Sequence, residues 1–309
     1  MGGSRGSDTP SLPLSELQKQ REEREKKDNY EREVNEYLQS LLKNINERDT
    51  EKIHQHLQNL KRALEREIEG AIEMRFGGSV IKHTYANGLS DIDMLVQINK
   101  SSYENKSPQE VLTHFAEQIK RSLPSTEVKI GKLAVTVKYS SGHEIQLLPA
   151  LKTQTGYKIA SFNKEKWSSV IKPHKFAEKL TKVNSENGNR VVPLIKLFKN
   201  INSTLPSSKQ LSGYHVESLA IDAFKNPANT PRTFKGMVEH FVRHSSHAVL
   251  NPIKDSTGQS VHVDSYLGNS NSLERRQISQ NLKMLQKRIN AANATSTSDK
   301  WRTILGDVE

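Results

Sequence analysis

The chain has 309 residues, enough for two ordinary domains. Only 34% of them are hydrophobic and mean hydropathy is −0.71, so much of the chain must be solvated helix or loop, and no run approaches the ~18 apolar residues that span a bilayer. Net charge is +11 with no cysteine, which excludes disulfides and thiolate metal sites and favours a polyanionic partner such as a nucleotide or nucleic acid. The absence of cysteine and of an apolar stretch near the start leads us to expect a cytoplasmic protein without a secretory signal.

Residues 1–13 are small, polar and proline-punctuated, and are expected to be a mobile, disordered end. From Leu14 to Glu73 the pattern is helical. A charge run comes first, read as a solvated helix face. Val34, Tyr37, Leu38, Leu41 and Leu42 follow at helical spacing. Asp49 or Thr50 suits an N-cap, and Ile53, Leu57, Leu60, Leu64 and Ile68 recur every three to four residues. The character changes at Met74. "FGGSV" supplies a small-residue turn, and "DIDMLVQI" is a strand with its aspartates on one face and Ile92, Met94 and Val96 on the other. A helix is expected from Ser107-Pro108, then strand, turn and strand through "KLAVTVKY", "SSGH" and "EIQLLPAL". After Pro149 the chain is mostly helical again, with clear helices in "NRVVPLIKLFKNIN", "GYHVESLAIDAFKN", "TPRTFKGMVEHFVRHSS" and "SLERRQISQNLKMLQKRINAANA". Residues 160–210 hold ten Lys/Arg against three Asp/Glu, so this region should form a positive wall.

Asp91 and Asp93 stand two apart in a β-like segment, so their side chains point the same way. Paired hard oxygen ligands at that spacing can bridge Mg²⁺ ions that clamp a triphosphate. Alone, an Asp-x-Asp reads more simply as two solvent-facing residues on an edge strand. About a dozen residues earlier stand Gly78 and Ser79. A glycine there lets the backbone approach a phosphate, and a serine hydroxyl with free N–H groups can hold it. The combination is far more specific than either part.

The stretch Met74–Ile98 resembles the signature of polymerase-β-like nucleotidyltransferases: an apolar residue, Gly-Gly/Ser, a spacer, then Asp-apolar-Asp/Glu-apolar. "EIQLLPA" resembles that family's third catalytic strand. "VVPLIKLFKN" resembles the helix that supplies a triphosphate-binding lysine, which the resemblance places on Lys196, with Lys199 a turn away. "LSGYHVESLAIDAF" resembles the next helix, with Ser212 and Tyr214 as nucleotide contacts. "VLNPIKD", "HVDSYL" and "WRTILGD" resemble closing segments of the bacterial cGAS/DncV-like cyclic-oligonucleotide synthases. The resemblance spans roughly residues 50–307. It implies an α/β (α+β) fold: helices over 14–73, a nucleotidyltransferase core over 74–155, and a mainly helical domain over 156–309, with a nucleotide cleft between the last two. It further implies that Gly78, Ser79, Lys196 and Lys199 grip the triphosphate, that Asp91 and Asp93 ligate Mg²⁺ (or Mn²⁺), and that nucleoside triphosphates are the substrates.

The sequence departs from that pattern at one decisive point. The family places a third carboxylate two apolar residues before the proline; here that residue is Gln146. A glutamine offers an amide oxygen but takes no proton. Four readings stay open: Glu144, on the same strand face, supplies the carboxylate; the protein binds nucleotide without turnover; the glutamine was introduced; or the chemistry runs on two carboxylates. Gly213 stands where the family has serine, and Asn251-Pro252 where relatives have Asp-Pro. His143 reads as a hairpin residue and His54 as structural.

The resemblance therefore implies a Mg²⁺-dependent nucleotidyltransferase that makes a cyclic or short oligonucleotide in bacterial antiphage signalling, its product activating a separate effector protein. Two alternatives remain: template-independent synthesis of linear ribo- or deoxyribonucleotide chains on an acceptor single strand, and a catalytically silent nucleotide or nucleic-acid binding protein.

Overall fold

The computed structural model describes residues 14–47, 50–66, 72–86, 91–161, 165–255 and 263–306. The expected mobile end at residues 1–13, the Asp49 cap and Ile68 lie outside them. Helix α1 (Leu14–Asn46) carries the charge run in its exposed first half. Helix α2 (Thr50–Glu65) follows and buries Leu60, Ala63 and Leu64. The helical pattern does not run on to Glu73, because strand β1 (Glu73–Phe76) begins there, mostly exposed at one edge of the sheet.

The sheet is built from β1, β2 (Ile92–Gln97), β3 (Glu127–Ile130), β4 (Val135–Lys138), β5 (Glu144–Lys152) and β6 (Tyr157–Ile159). Its order is β1-β2-β5-β4-β3, and β6 pairs with the far end of β5. The β2–β5 pair is parallel and the others are antiparallel. The four-residue helix α3 (Gly78–Ile81) links β1 toward β2, and α4 (Pro108–Ser122) forms the crossover toward β3. Ser107 and Glu110 close a reciprocal capping box at the start of α4, with Pro108 in its first turn.

Period-2 alternation sorts the central strands. Ile92, Met94 and Val96 of β2, with Ile145 and Leu147 of β5, are buried against Leu60, Leu64, Val111, Leu112, Phe115 and Ile119 of α2 and α4. The opposite face of the same two strands carries Asp93, Leu95, Gln146 and Leu148.

The rest of the chain is helical: α5 (Pro173–Glu186), α6 (Val191–Ser203), α7 (Gly213–Ala223), α8 (Phe234–Ala248), α9 (Leu273–Thr295) and α10 (Asp299–Leu305). They share one core, to which α1 contributes Tyr30, Val34, Leu38 and Leu42. The first helix thus packs with the C-terminal half of the chain, and α2 packs with the sheet. Trp301, fully buried, donates its indole N–H to Tyr30 Oη at 2.9 Å, and that hydroxyl donates to Asn293 Oδ1 at 2.8 Å. No helix among the described residues is long and apolar enough to cross a membrane.

Candidate active site

A cleft of about 610 Å³ opens over the polar face of β2 and β5. The turn Gly77–Ser79, Lys82, Asp91, Asp93 and, from the helical half, Lys199, Gly213, Tyr214 and Glu217 line it.

The β2–β5 register sets the floor. Asp93 lies directly opposite Gln146 on parallel strands, and Asp91 immediately precedes β2. Gln146 Nε2 donates to Asp91 Oδ2 at 2.5 Å. Burial, then the charges of Glu144 and Asp93, raise the Asp91 carboxyl to about 6, while the Gln146 hydrogen bond opposes the rise. Asp93 is also raised, by burial first, with Lys82 and the Ser79 N–H pulling the other way.

The small-residue turn is held against Asp93. Gly77 N–H donates to Asp93 O at 2.8 Å, and Ser79 N–H lies 3.4 Å from Asp93 Oδ2. Gly78 has φ +45°, and a Cβ there would lie 1.5 Å from Asp93 Oδ2, so both backbone conformation and space demand glycine. Ser79 is buried, and its carbonyl accepts from Thr84 N and Tyr85 N at 2.9 and 3.1 Å.

Two cleft residues were not named from sequence: Glu217 on the helical wall, and Lys82 just after α3. Glu217 of α7 is 1% exposed. One carboxylate oxygen meets Lys82 Nζ; the other accepts from Thr84 Oγ1 and lies 3.3 Å from Lys199 Nζ. Burial pushes the Glu217 carboxyl up, but the Lys82 and Lys199 charges and the hydrogen bonds outweigh it and leave it below its ordinary value. Lys199, by contrast, is lowered, because burial together with repulsion from Lys82 outweighs its share of Glu217. The Lys82 ammonium also lies 5.3 and 5.2 Å from the Phe176 and Tyr214 ring centroids. A glutamate on a helix face otherwise occupied by Val216, Leu219 and Ala220 was a signal open to sequence reasoning; Lys82, three residues after Ser79, had none.

Of the residues expected to bind nucleotide, Gly78, Ser79, Lys199 and Tyr214 come together in the cleft. Lys196 does not join them: its ammonium donates to Asn46 Oδ1 of α1 at 2.5 Å. Ser212 caps α7, its Oγ accepting from His215 N at 3.2 Å, and its own N–H donates to Tyr266 Oη at 3.1 Å. Glu144 stands on the same face of β5 as Gln146, near enough for its charge to act on Asp91. His143 sits in the β4–β5 hairpin with Nδ1 3.0 Å from Ser141 Oγ.

A family model described as "Second Messenger Oligonucleotide or Dinucleotide Synthetase domain" matches residues 33–184. Residues 33–184 thus match a nucleotidyltransferase domain of the cGAS/DncV-like kind, and the fold agrees with it. Solved cGAS/DncV-like structures share its fold. The CD-NTase CdnG of Bradyrhizobium diazoefficiens in complex with GTP aligns at 14% identity and TM-score 0.66, over 87% of this chain and 94% of that one. E. coli MS115-1 CdnC with ATP aligns at 15% identity and TM-score 0.63, over 83% and 90%. The Vibrio cholerae cyclic AMP-GMP synthase DncV, in complex with a linear intermediate, aligns at 11% identity and TM-score 0.62, over 96% and 91%. No curated protein matches the sequence.

A nucleotidyltransferase of this type implies a divalent cation. The donor set at Asp91 and Asp93 suits one: two hard carboxylates side by side, with Glu144 close enough that ionising Asp91 is disfavoured. Among the described residues no group of three His, Cys, Asp or Glu side chains could hold a metal ion.

Proposed function

We propose that this nucleotidyltransferase joins nucleoside triphosphates into a cyclic or short oligonucleotide signal, with Mg²⁺ or Mn²⁺ held by Asp91 and Asp93. One observation supports the reading above the others. The Asp91–Asp93 pair and the Gly78–Ser79 turn share one cleft with Lys199, which reaches it from the opposite wall. That is the arrangement a triphosphate needs: close backbone and a hydroxyl on one side, a cation on the other, and carboxylates for metal at the reacting end. Lys199 rather than Lys196 takes the triphosphate contact, and Tyr214 offers a ring at the cleft wall for the base. Residues 74–155 act as the nucleotidyltransferase core and 156–309 as the helical domain that closes the cleft. The product then serves a separate effector protein, in the antiphage role the family resemblance implies.

In the reaction an acceptor hydroxyl bonds to the α-phosphorus, the bond to the β-phosphate oxygen breaks, and pyrophosphate leaves. The bound cation would neutralise the charge that develops on the phosphates. This chain must still place the hydroxyl and accept its proton. Gln146 cannot accept it; with Asp91 and Asp93 assigned to the cation, that role goes to Glu144, on the same face of β5.

One observation favours a second reading, nucleotide binding without turnover. The Gln146 amide N–H already occupies Asp91 Oδ2 at 2.5 Å, where a third carboxylate would instead add negative charge. One comparison separates the two. Wild type and Gln146→Asp are incubated with each NTP and with mixtures, in Mg²⁺ or Mn²⁺, and assayed for pyrophosphate and phosphatase-resistant product. Product from wild type that Glu144→Gln abolishes supports synthesis with Glu144 as base. Product from Gln146→Asp alone selects the silent binder. A ladder of linear products in place of a compact one selects the polymerising alternative. No nucleotide bound by either protein sinks every version.

A further inference from the structure

We propose that Glu217 is a positioning residue: it holds the Lys82 and Lys199 ammonium groups at the triphosphate end of the cleft and keeps them off the Asp91–Asp93 pair. The inference rests on the reading of this cleft as a nucleoside triphosphate site.

The network joins three elements that are distant in sequence. Lys82 follows α3, on the turn that carries Ser79; Lys199 is on α6; Glu217 is on α7. The two ammonium groups divide the two oxygens of one fully buried carboxylate between them. Thr84 fills the remaining sites: its hydroxyl donates to Glu217, and its carbonyl accepts from Lys199 Nζ at 2.9 Å. Buried charge pairs of this kind contribute little net stability, because desolvating the ions offsets most of their attraction, so a well-packed apolar trio would serve folding as well. Their placement points to function instead. Lys82, Lys199 and Glu217 all line the cleft beside Asp93, and both lysine charges act on the Asp93 carboxyl.

Asp93 is the competing carboxylate on which both lysine charges act. Without the Glu217 charge, two buried cations face the carboxylates meant for a divalent ion, and the shortest route to neutrality is an ion pair with Asp93. That pairing would displace the divalent cation and also remove the lysines from the triphosphate. With Glu217 in place, the lysines have a partner other than Asp93, and one carboxylate between two ammonium groups leaves a net positive charge at that end.

The test uses the full chain and equilibrium binding, so it does not depend on turnover. Binding of each of the four NTPs is measured by calorimetry across a Mg²⁺ titration, for wild type, Glu217→Gln and Lys82→Met. Glutamine keeps the shape and the Thr84 hydrogen bond but not the charge. Glu217→Gln is expected to weaken NTP binding about tenfold and to raise the Mg²⁺ midpoint about tenfold, as losing one close charge pair implies. Lys82→Met should weaken NTP binding without raising the Mg²⁺ midpoint. Should Glu217→Gln not fold, Glu217→Asp retains the charge at shorter reach, and an intermediate shift of both quantities carries the same meaning. An unchanged Mg²⁺ midpoint in a folded Glu217 variant overturns the positioning role while leaving the nucleotide site intact. A wild type that binds none of the four NTPs overturns the site itself, and the inference with it.

Discussion

Gly78 is the position where one carbon atom decides the site. Its φ of +45° and the 1.5 Å between a built Cβ and Asp93 Oδ2 mean that Gly78→Ala must push the Asp93 carboxylate aside or unwind the turn. Core packing lies on the other face of β2, so the variant should fold with a melting temperature near that of wild type. NTP binding in Mg²⁺ should fall about 100-fold, the scale of loss expected when a reacting group moves by about an ångström. Binding retained within threefold would show that Asp93 does not need this turn. The same scale explains what sequence could and could not reveal here. Strand periodicity alone aligns Asp91, Asp93, Glu144 and Gln146 on one face, so these were legible. Lys196 and Lys199 sit three apart on a helix, on neighbouring faces about 60° apart, and spacing does not say which face meets the cleft. The α1 contact through Asn46 captures one, and Thr84 with Glu217 captures the other. Lys82 stayed hidden because its pairing with Glu217 crosses 135 positions of chain.

At the scale of elements, α1 shows how a solvated sequence still docks. Its first half buries nothing, yet Val34 and Leu38 are fully buried in the helical core. Leu38→Ala should therefore cost roughly 2–5 kcal/mol, read as a lower urea midpoint with an unchanged slope. A loss under 0.5 kcal/mol would mean that α1 detaches readily from the helical half. The capping box at Ser107 offers a smaller counterpart: Ser107→Ala should cost about 1 kcal/mol by freeing the Glu110 N–H. Long amphipathic helices and the two central strands were legible because burial imposes a period on them. The missed strands lack one. β1 and β3 are edge strands with only one half-buried residue each, and β6 has three residues. Helix α5 did carry a signal, Phe176, Ala177, Leu180 and Val183 behind Pro173, overshadowed by the lysines on its outer face. The helical reading overran into β1 because Glu73 and Met74 suit a helix as well as an edge strand.

At the scale of the whole molecule, the helical half encloses a polar knot with a direct pH consequence. Arg275 and Asp264 are both fully buried, and Arg275 Nη1 donates to Asp264 Oδ2 at 2.6 Å, with further guanidinium N–H groups on the carbonyls of Val249, Gly268 and Asn269. His215, also fully buried, places Nδ1 2.9 Å from Tyr266 Oη, while its Nε2 lies 3.6 Å from Asp264 Oδ2 with no hydrogen-bond partner. Burial, helped by the Arg275 charge and opposed by Asp264, lowers the imidazole from 6.5 to about 4. At intermediate pH the folded chain therefore holds His215 neutral while the unfolded chain protonates it. The unfolded state binds more protons between those two values, so this group's contribution is complete above pH 6.5 and is lost as pH falls toward 4. Between pH 7 and pH 5 the loss should be about 2 kcal/mol. Asp91 acts in the opposite sense, since its folded carboxyl is raised to about 6; its exposure to the cleft screens the effect. A comparison of wild type with His215→Asn cancels Asp91 and every other group the two share. The difference in urea unfolding free energy between the two proteins should shrink by about 2 kcal/mol from pH 7 to pH 5. Parallel pH profiles would show that His215 takes up its proton in the folded state without penalty, and that the knot yields to charge at the helix end that presents Gly213 and Tyr214 to the cleft.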